Sequence, residues 1–185
     1  MGGTENLQEG DVARLRAQDA DAFATLVDEH QSMIAGMCHS LGLRGADIEE
    51  AATVVFANVY RSLPGFDGRA GLSTWLYRIA CRTIVRERTR LRRHQPTVPL
   101  TDQIAASQTN PEEALEAAEL REQLWAVVAS LPAREALATE MYYRRDWPVA
   151  KIAAVLQCPR GTVKTLLFRA RRRLRDILAA KGIEP

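Results

Sequence analysis

The stretch from Pro159 to Arg175, PRGTVKTLLFRARRRLR, holds Arg160, Lys164, Arg169, Arg171, Arg172, Arg173 and Arg175 and no acid, in a chain of 185 residues whose formal net charge is only +2. Its apolar residues recur at three-and-four spacing, which predicts a helix with Val163, Leu166 or Leu167, and Ala170 turned inward. Thr162, Lys164, Thr165 and Phe168 then project from its N-terminal half, and the arginines crowd the distal half. Just upstream, VAKIAAVL carries Ile152, Ala153 and Leu156 as a second, shorter helix, and QCP separates the two. A short helix, a turn of about three residues and a longer helix starting near Gly161 have the layout of a helix-turn-helix.

In that motif the second helix enters the major groove of DNA, its first turns facing base edges while surrounding cations face phosphate. Arginines along the distal half suit phosphate neutralisation with counterion release. Spacing alone leaves two blander readings open: a solvated basic face, and a helix pair that binds protein.

Upstream, the apolar period stays helical and no run alternates as a half-buried strand would. Phe23, Leu26, Val27, Ile34, Met37, Cys38 and Leu41 form one stripe; Ile48, Ala51, Ala52, Val55, Phe56, Val59 and Tyr60 a second; Leu72, Trp75, Leu76, Ile79, Ala80 and Thr83 a third. Breaks fall at LGLRGAD and LPGFDGRAGLS, with Asp47 or Ser73 as candidate caps. HQPTVPLTDQIAASQTN, from His94 to Asn110, has prolines, small polar residues and no sustained period, so it reads as a flexible linker. After it come an acidic helix and a helix entered at Pro132, expected at the first helical position. The expectation is an all-α chain of two small helical domains: residues 1–93, a linker over 94–111, and residues 112–185 with the helix-turn-helix.

Charge alternates along this layout. The first fifty residues are acid-rich, Arg78, Arg82, Arg86, Arg88, Arg90, Arg92 and Arg93 face only Glu87, acids return from Asp102 to Glu122, and the opening stretch is basic again. Arg78, Arg82, Arg86 and Arg90 recur every fourth residue, opposite Trp75, Leu76, Ile79 and Thr83. Such a helix packs on its own domain while offering cations to a polyanion. The preceding loop, FDGRAGLST, lets the backbone approach closely and holds Asp67, Arg69, Ser73 and Thr74, all able to hydrogen-bond an unstacked base. Single-stranded nucleic acid is therefore a reasonable ligand, beside the plainer reading of a solvated helix with Trp75 in the core.

Other chemistry finds little support. Cys38, Cys81 and Cys158 are odd in number, far apart and without ligand spacing, which argues against a disulfide framework or a metal site. No apolar run is long enough to span a bilayer and the N-terminus lacks a signal-peptide pattern, so the expectation is a cytoplasmic chain without membrane insertion. His30, His39 and His94 are scattered, His30 lying on an apolar helical face as a structural residue, and no catalytic constellation or cofactor site emerges.

The order DADAFATLVDEH, ADIEEAATVVFANVY, FDGRAGLSTWLYRIACRT, linker, SLPAREALATEMYY, WPVAKIAAVLQCPRGTVKTLLFRARRRLR resembles the minimal bacterial sigma factors of the extracytoplasmic-function (ECF) group. The likeness covers roughly residues 20–93 and 112–178 and rests on several motifs in order. It implies a promoter-specificity subunit without enzymatic activity of its own, held in check by an anti-sigma factor. It implies binding to the β′ clamp helices of core RNA polymerase through Asp47, Glu49, Glu50, Phe56 and Tyr60, with the β flap as a further contact. The −10 element would be held as a single strand by Asp67, Arg69, Ser73, Thr74, Trp75, Arg78, Arg82 and Arg86. The −35 element would be read as duplex by Arg160, Thr162, Lys164, Thr165, Phe168, Arg169 and Arg172.

The chain departs from the family pattern at several positions. A Gln-Glu pair is replaced by Thr53 and Val54, polar or acidic residues by Arg82 and Arg86, a Glu by Lys151 and an Arg by Leu166. Those at Thr53, Val54, Arg82 and Arg86 keep in view a sigma-like decoy that occupies an anti-sigma factor or polymerase; a stand-alone DNA-binding regulator is a further alternative, which the second domain alone would serve but which leaves the linker and the basic helix with its glycine loop unexplained.

Overall fold

The computed structural model describes residues 9–94 and 124–180; these are helices and turns, with no strand among them. The first half comprises α1 (Glu9–Arg16), α2 (Ala20–Ser40), α3 (Ala46–Ser62), a single 3-10 turn (Leu63–Gly65) and α4 (Leu72–His94). The second comprises helical residues 124–130 (α5), α6 (Ala133–Thr139) running into a π-helical turn (Glu140–Arg144), α7 (Val149–Leu156) and α8 (Arg160–Ala180). His94 is the last residue of α4. The rest of the expected linker, and the acidic segment up to residue 123, lie outside the described residues.

Each helix follows its apolar period. Ile34, Met37, Cys38 and Leu41 of the first stripe are buried, as are Ala51, Val55, Phe56 and Val59 of the second and Leu72, Leu76, Ile79, Ala80 and Thr83 of the third. α2 begins where Asp19 accepts the Ala22 N–H at 2.9 Å. That bond, with Arg14 at 2.8 Å, holds the Asp19 carboxyl below its ordinary range. The caps expected at Asp47 and Ser73 are not used: α3 starts after Gly45 with no side-chain cap, and Asp47 and Ser73 both sit inside their helices. Pro132 is the residue before α6 rather than its first member, a one-residue offset of the kind that helix ends commonly show.

The N-terminal residues, unread from the sequence, form a brace. Leu15 is buried, Arg16 Nε donates to the Phe66 carbonyl at 2.7 Å, and Gln18 Nε2 donates to the Tyr60 carbonyl at 3.0 Å. α1 thereby ties the loop before α4 to the end of α3.

The two halves pack against each other, and their buried residues form one continuous apolar core. α4 supplies much of the contact. Besides the apolar face toward α2 and α3, it buries Tyr77, Cys81, Ile84 and Arg88. Arg88, 7% exposed, donates through Nη2 to the carbonyl of Ala129 at 2.8 Å, with the Leu131 carbonyl at 3.4 Å. Burial pulls its guanidinium down from 12.5 to about 10, with Arg92 pushing the same way. Tyr77 stacks on Trp147 at 5.1 Å between ring centroids, and Arg145 Nη2 donates to the Ser32 carbonyl at 2.8 Å.

Candidate nucleic-acid interface

α7 and α8 pack as a helix-turn-helix because their apolar residues meet. Ile152, Ala153, Val155 and Leu156 of α7 are buried, and so are Val163, Leu167 and Ala170 of α8; Leu166 is half-buried. The turn passes through Gln157 in the left-handed region, φ 51°, where its N–H and that of Cys158 return to the Ala153 carbonyl. A left-handed residue at this position is a common way to end a helix. Arg134 Nη2 donates to the Leu156 carbonyl at 2.8 Å, tying α6 to the last turn of α7.

With one face of α8 fixed inward, the other is presented outward. Arg160, Thr162, Lys164, Thr165, Phe168, Arg169 and Arg172, all singled out in the sequence, are exposed together with Arg171 and Arg175. Phe168 is 62% exposed, an apolar ring standing in a cationic surface. The Thr165 hydroxyl donates back to the Gly161 carbonyl at 3.0 Å, and the side chain stays exposed. Arg173 differs from its neighbours: its Nε lies 3.2 Å from buried Glu135 of α6, so it anchors the helix to the domain.

The other basic surface is α4 with its preceding loop. Gly68 adopts φ 75°, and Asp67 Oδ1 accepts the Arg69 N–H at 3.0 Å, so the loop turns back on itself and leaves Asp67 and Arg69 exposed. Trp75 is half-buried, its ring 5.1 Å from Phe66, and Thr74 is likewise half-buried beside it. Arg82 and Arg86 are exposed, and at seven and eleven residues from Trp75 they share its side of α4 instead of standing opposite it as the stripe suggested. The remaining members of the four-residue stripe are engaged elsewhere. Arg78 Nε donates to the Ala154 carbonyl of α7 at 2.8 Å. Arg90 is held by Glu87 at 2.7 Å and Glu50 at 2.5 Å. Ser73 is buried.

At the acid-rich end of α3, Glu49 and Glu50 are exposed and Asp47 half-exposed. Phe56 lies in the core, and Tyr60 packs edge-on against Phe23 at 4.9 Å. Thr53 is exposed with its hydroxyl on the Glu49 carbonyl at 2.8 Å, and Val54 is half-buried. α3 therefore offers a carboxylate surface over an apolar support.

Two families match this arrangement in order: Sigma-70 region 2 over residues 26–94, and Sigma-70 region 4 over residues 121–174. The chain is 30% identical over 179 residues to the ECF RNA polymerase sigma factor SigW of Bacillus subtilis, covering 90% of this chain and 94% of that one. It is an ECF sigma factor of the sigma-70 family. The ECF RNA polymerase sigma-E factor of Escherichia coli K12 is 31% identical over 170 residues, covering 86% and 88% of the two chains. Among solved structures, this sigma factor's fold is similar to CnrH in complex with the cytosolic domain of CnrY, with TM-score 0.68, 20% identity and coverage of 92% and 96%. It is also similar to the sigma factor RpoE in complex with the anti-sigma factor NepR from Bartonella quintana, with TM-score 0.63, 19% identity and coverage of 85% and 96%.

Some residues of this sigma factor were not legible as parts of a site. Tyr142 and Tyr143 lie in the π-helical turn, exposed at 38% and 53%, edge-on to each other beside Lys164 and Arg171. Arg88 looked like one more cation of a basic block and is instead the buried link to α5. A cation one turn from the end of an amphipathic stripe carries no sign of which carbonyls it will meet. Among the described residues no group of His, Cys, Asp and Glu could hold a metal, the three cysteines are free, and no helix is long and apolar enough to cross a membrane.

Proposed function

We propose that this sigma factor reads its promoters with two separate surfaces: the outward face of α8 on duplex −35 DNA, and the loop at Asp67–Thr74 with Trp75, Arg78, Arg82 and Arg86 on single-stranded −10 DNA. The observation that carries this is the exposed face of α8, where Thr162, Lys164, Thr165 and Phe168 stand at the N-terminal end and Arg169 and Arg172 beyond it, over a buried helix-turn-helix core. The N-terminal turns suit base edges and the distal guanidiniums suit phosphate. Phe168 suits the methyl group of a thymine. On the −10 surface, a half-buried aromatic beside open arginines matches the pairing of stacking platform and cationic groove that single strands require.

The carboxylates Asp47, Glu49 and Glu50 form the face offered to the clamp helices of polymerase, with Phe56 and Tyr60 supporting them from below. The chain performs no bond chemistry; polymerase supplies it. The similarity to the sigma factor RpoE in its complex with the anti-sigma factor NepR supports an anti-sigma partner, and the whole system would operate in the cytoplasm.

The test is run-off transcription of fragmented genomic DNA by core polymerase with and without the chain. New starts sharing −35 and −10 elements are the expected result. Core binding with no new starts would instead identify a decoy, the role that Thr53 and Val54 leave open; neither core binding nor new starts would point to a stand-alone regulator.

A further inference from the structure

The loop that precedes α4 starts from a backbone carbonyl held by another element. Phe66 closes the 3-10 turn, its N–H on the Leu63 carbonyl at 3.0 Å, and leaves it in an extended conformation, φ −67° and ψ 114°. Its own carbonyl then meets α1, where Arg16 Nε donates to it at 2.7 Å. The Arg16 guanidinium carbon lies 6.0 Å from the centre of the Phe66 ring, and Nη2 passes beside Gly68, 4.0 Å from where a Cβ would stand. Phe66, 4% exposed, lies in turn against Trp75 at 5.1 Å between ring centroids. One arginine of the N-terminal helix thus reaches the residue that launches the loop, the glycine at its turn and, through the Phe66 ring, the aromatic at its end.

α1 is itself anchored. Leu15 is buried, and Gln18, in the left-handed region at φ 57°, is tied to Tyr60 twice: its Nε2 donates to the Tyr60 carbonyl at 3.0 Å, and its carbonyl accepts from the Tyr60 hydroxyl at 3.4 Å. The loop has ties of its own, with the Arg69 N–H on Asp67 Oδ1 at 3.0 Å and the Trp75 N–H on the Gly71 carbonyl at 3.0 Å. Those local bonds shape the turn and start α4, whereas the bond from Arg16 sets the direction in which the chain enters the loop. A loop already held in its binding conformation loses less freedom when a ligand arrives, and affinity rises accordingly.

We propose that Arg16 is a positioning residue of the −10 surface: its Nε–H fixes the Phe66 carbonyl, and with it the course of the loop over residues 67–71 and the ring that backs Trp75. Arg16 acts as a donor at one fixed place, not as a charge on DNA. Its effect on DNA rests on the −10 assignment above, but its hold on the loop is a property of the free chain.

Substitutions of similar length separate the donor from the charge. In Arg16→Gln the side-chain nitrogen stands as many bonds from Cα as the arginine Nε, so the donor stays and the charge goes. Arg16→Met puts a methyl group there, and Arg16→Lys a methylene with the charge one atom beyond; all three suit an exposed helix position. Hydrogen exchange of the full free chain follows the amides of Phe66, Arg69 and Trp75. Arg16→Met should speed their exchange about fivefold, as the loss of one hydrogen bond predicts, and Arg16→Gln should leave it near wild type. In the complex with core polymerase, the probe is a single-stranded oligonucleotide carrying the −10 element of a start mapped by run-off transcription. Its affinity should fall about fivefold in Arg16→Met and stay near wild type in Arg16→Gln, with duplex −35 binding unchanged in both. Wild-type exchange in Arg16→Met would overturn the positioning role. So would Arg16→Gln binding as weakly as Arg16→Met while Arg16→Lys binds normally, the pattern of a charge on phosphate. A loosened loop with full −10 affinity would overturn it as well. Arg82→Ala with Arg86→Ala, measured alongside, then shows where the fault lies: weakened binding there leaves the −10 assignment standing, and unchanged binding removes that assignment too.

Discussion

Replacing His30 by Gln should flatten the acid side of this protein's stability profile. His30 is 2% exposed, its Nδ1 lies 2.7 Å from the Tyr77 hydroxyl, and burial together with the Lys151 charge pulls its imidazole from 6.5 down to about 4. The folded chain therefore keeps His30 neutral, whereas the unfolded chain takes up a proton near pH 6.5. A base depressed on folding contributes stability that is present above its unfolded pKa and disappears as pH falls toward its folded one. The interval from 6.5 to about 4 corresponds to about 3 kcal/mol, most of it gone by pH 4.5. Gln does not titrate and can still hydrogen-bond the Tyr77 hydroxyl.

Two other groups titrate on the same limb. The depressed Asp19 carboxyl adds a further loss below about pH 4. Glu140 acts in the opposite sense: burial raises its carboxyl against the pull of Arg144 and Arg145, so its contribution is present at low pH and lost as pH rises through the raised value. Both are common to wild type and variant, so the difference isolates His30. Urea unfolding at several pH values between 7.5 and 4.5 gives that difference, and NMR titration of the imidazole gives its pKa. Parallel loss in the two proteins, or an imidazole titrating near 6.5, would refute the reasoning.

The DNA surfaces yield further expectations. Arg169→Ala with Arg172→Ala should weaken −35 duplex binding and reduce its log–log salt slope by about 0.9 per lost phosphate contact; an unchanged slope means those side chains do not touch phosphate. Arg82→Ala with Arg86→Ala should lower affinity for single-stranded −10 DNA in the polymerase complex, with a slope change of about 0.7 per contact, and leave −35 binding intact. Ile152, fully buried where α7 meets α8, should cost about 2–5 kcal/mol when cut to Ala, read by chemical denaturation, with −35 binding lost in proportion to unfolding.

The helices of this sigma factor were legible because an amphipathic period is a local property. Val163, Leu167 and Ala170 had to share one face of α8, and that placed Thr162, Lys164, Thr165 and Phe168 on another. The same logic was incomplete for α4. Its spacing suggested one apolar face and one uniform basic stripe of Arg78, Arg82, Arg86 and Arg90. In the folded chain Arg82 and Arg86 are exposed, Arg90 is exposed but paired with two carboxylates, and Arg78 is half-buried and bonded to α7. Phe56 and Tyr60 read as partner contacts; Phe56 lies in the core and Tyr60 is half-buried against Phe23, since aromatic side chains at helical spacing fit a surface or a core equally well.

The sequence by itself determined the all-helical class, the helix-turn-helix with its outward residues, and the membership of the ECF sigma factors, since each rests on local order along the chain. Tertiary structure alone decided that the halves dock, that Gly36 accommodates Glu140, that Arg88 is a buried link, and that Arg78 is bonded to α7. Those contacts join residues 41 to 113 positions apart, and helical periodicity says which face of a helix is buried but never against what.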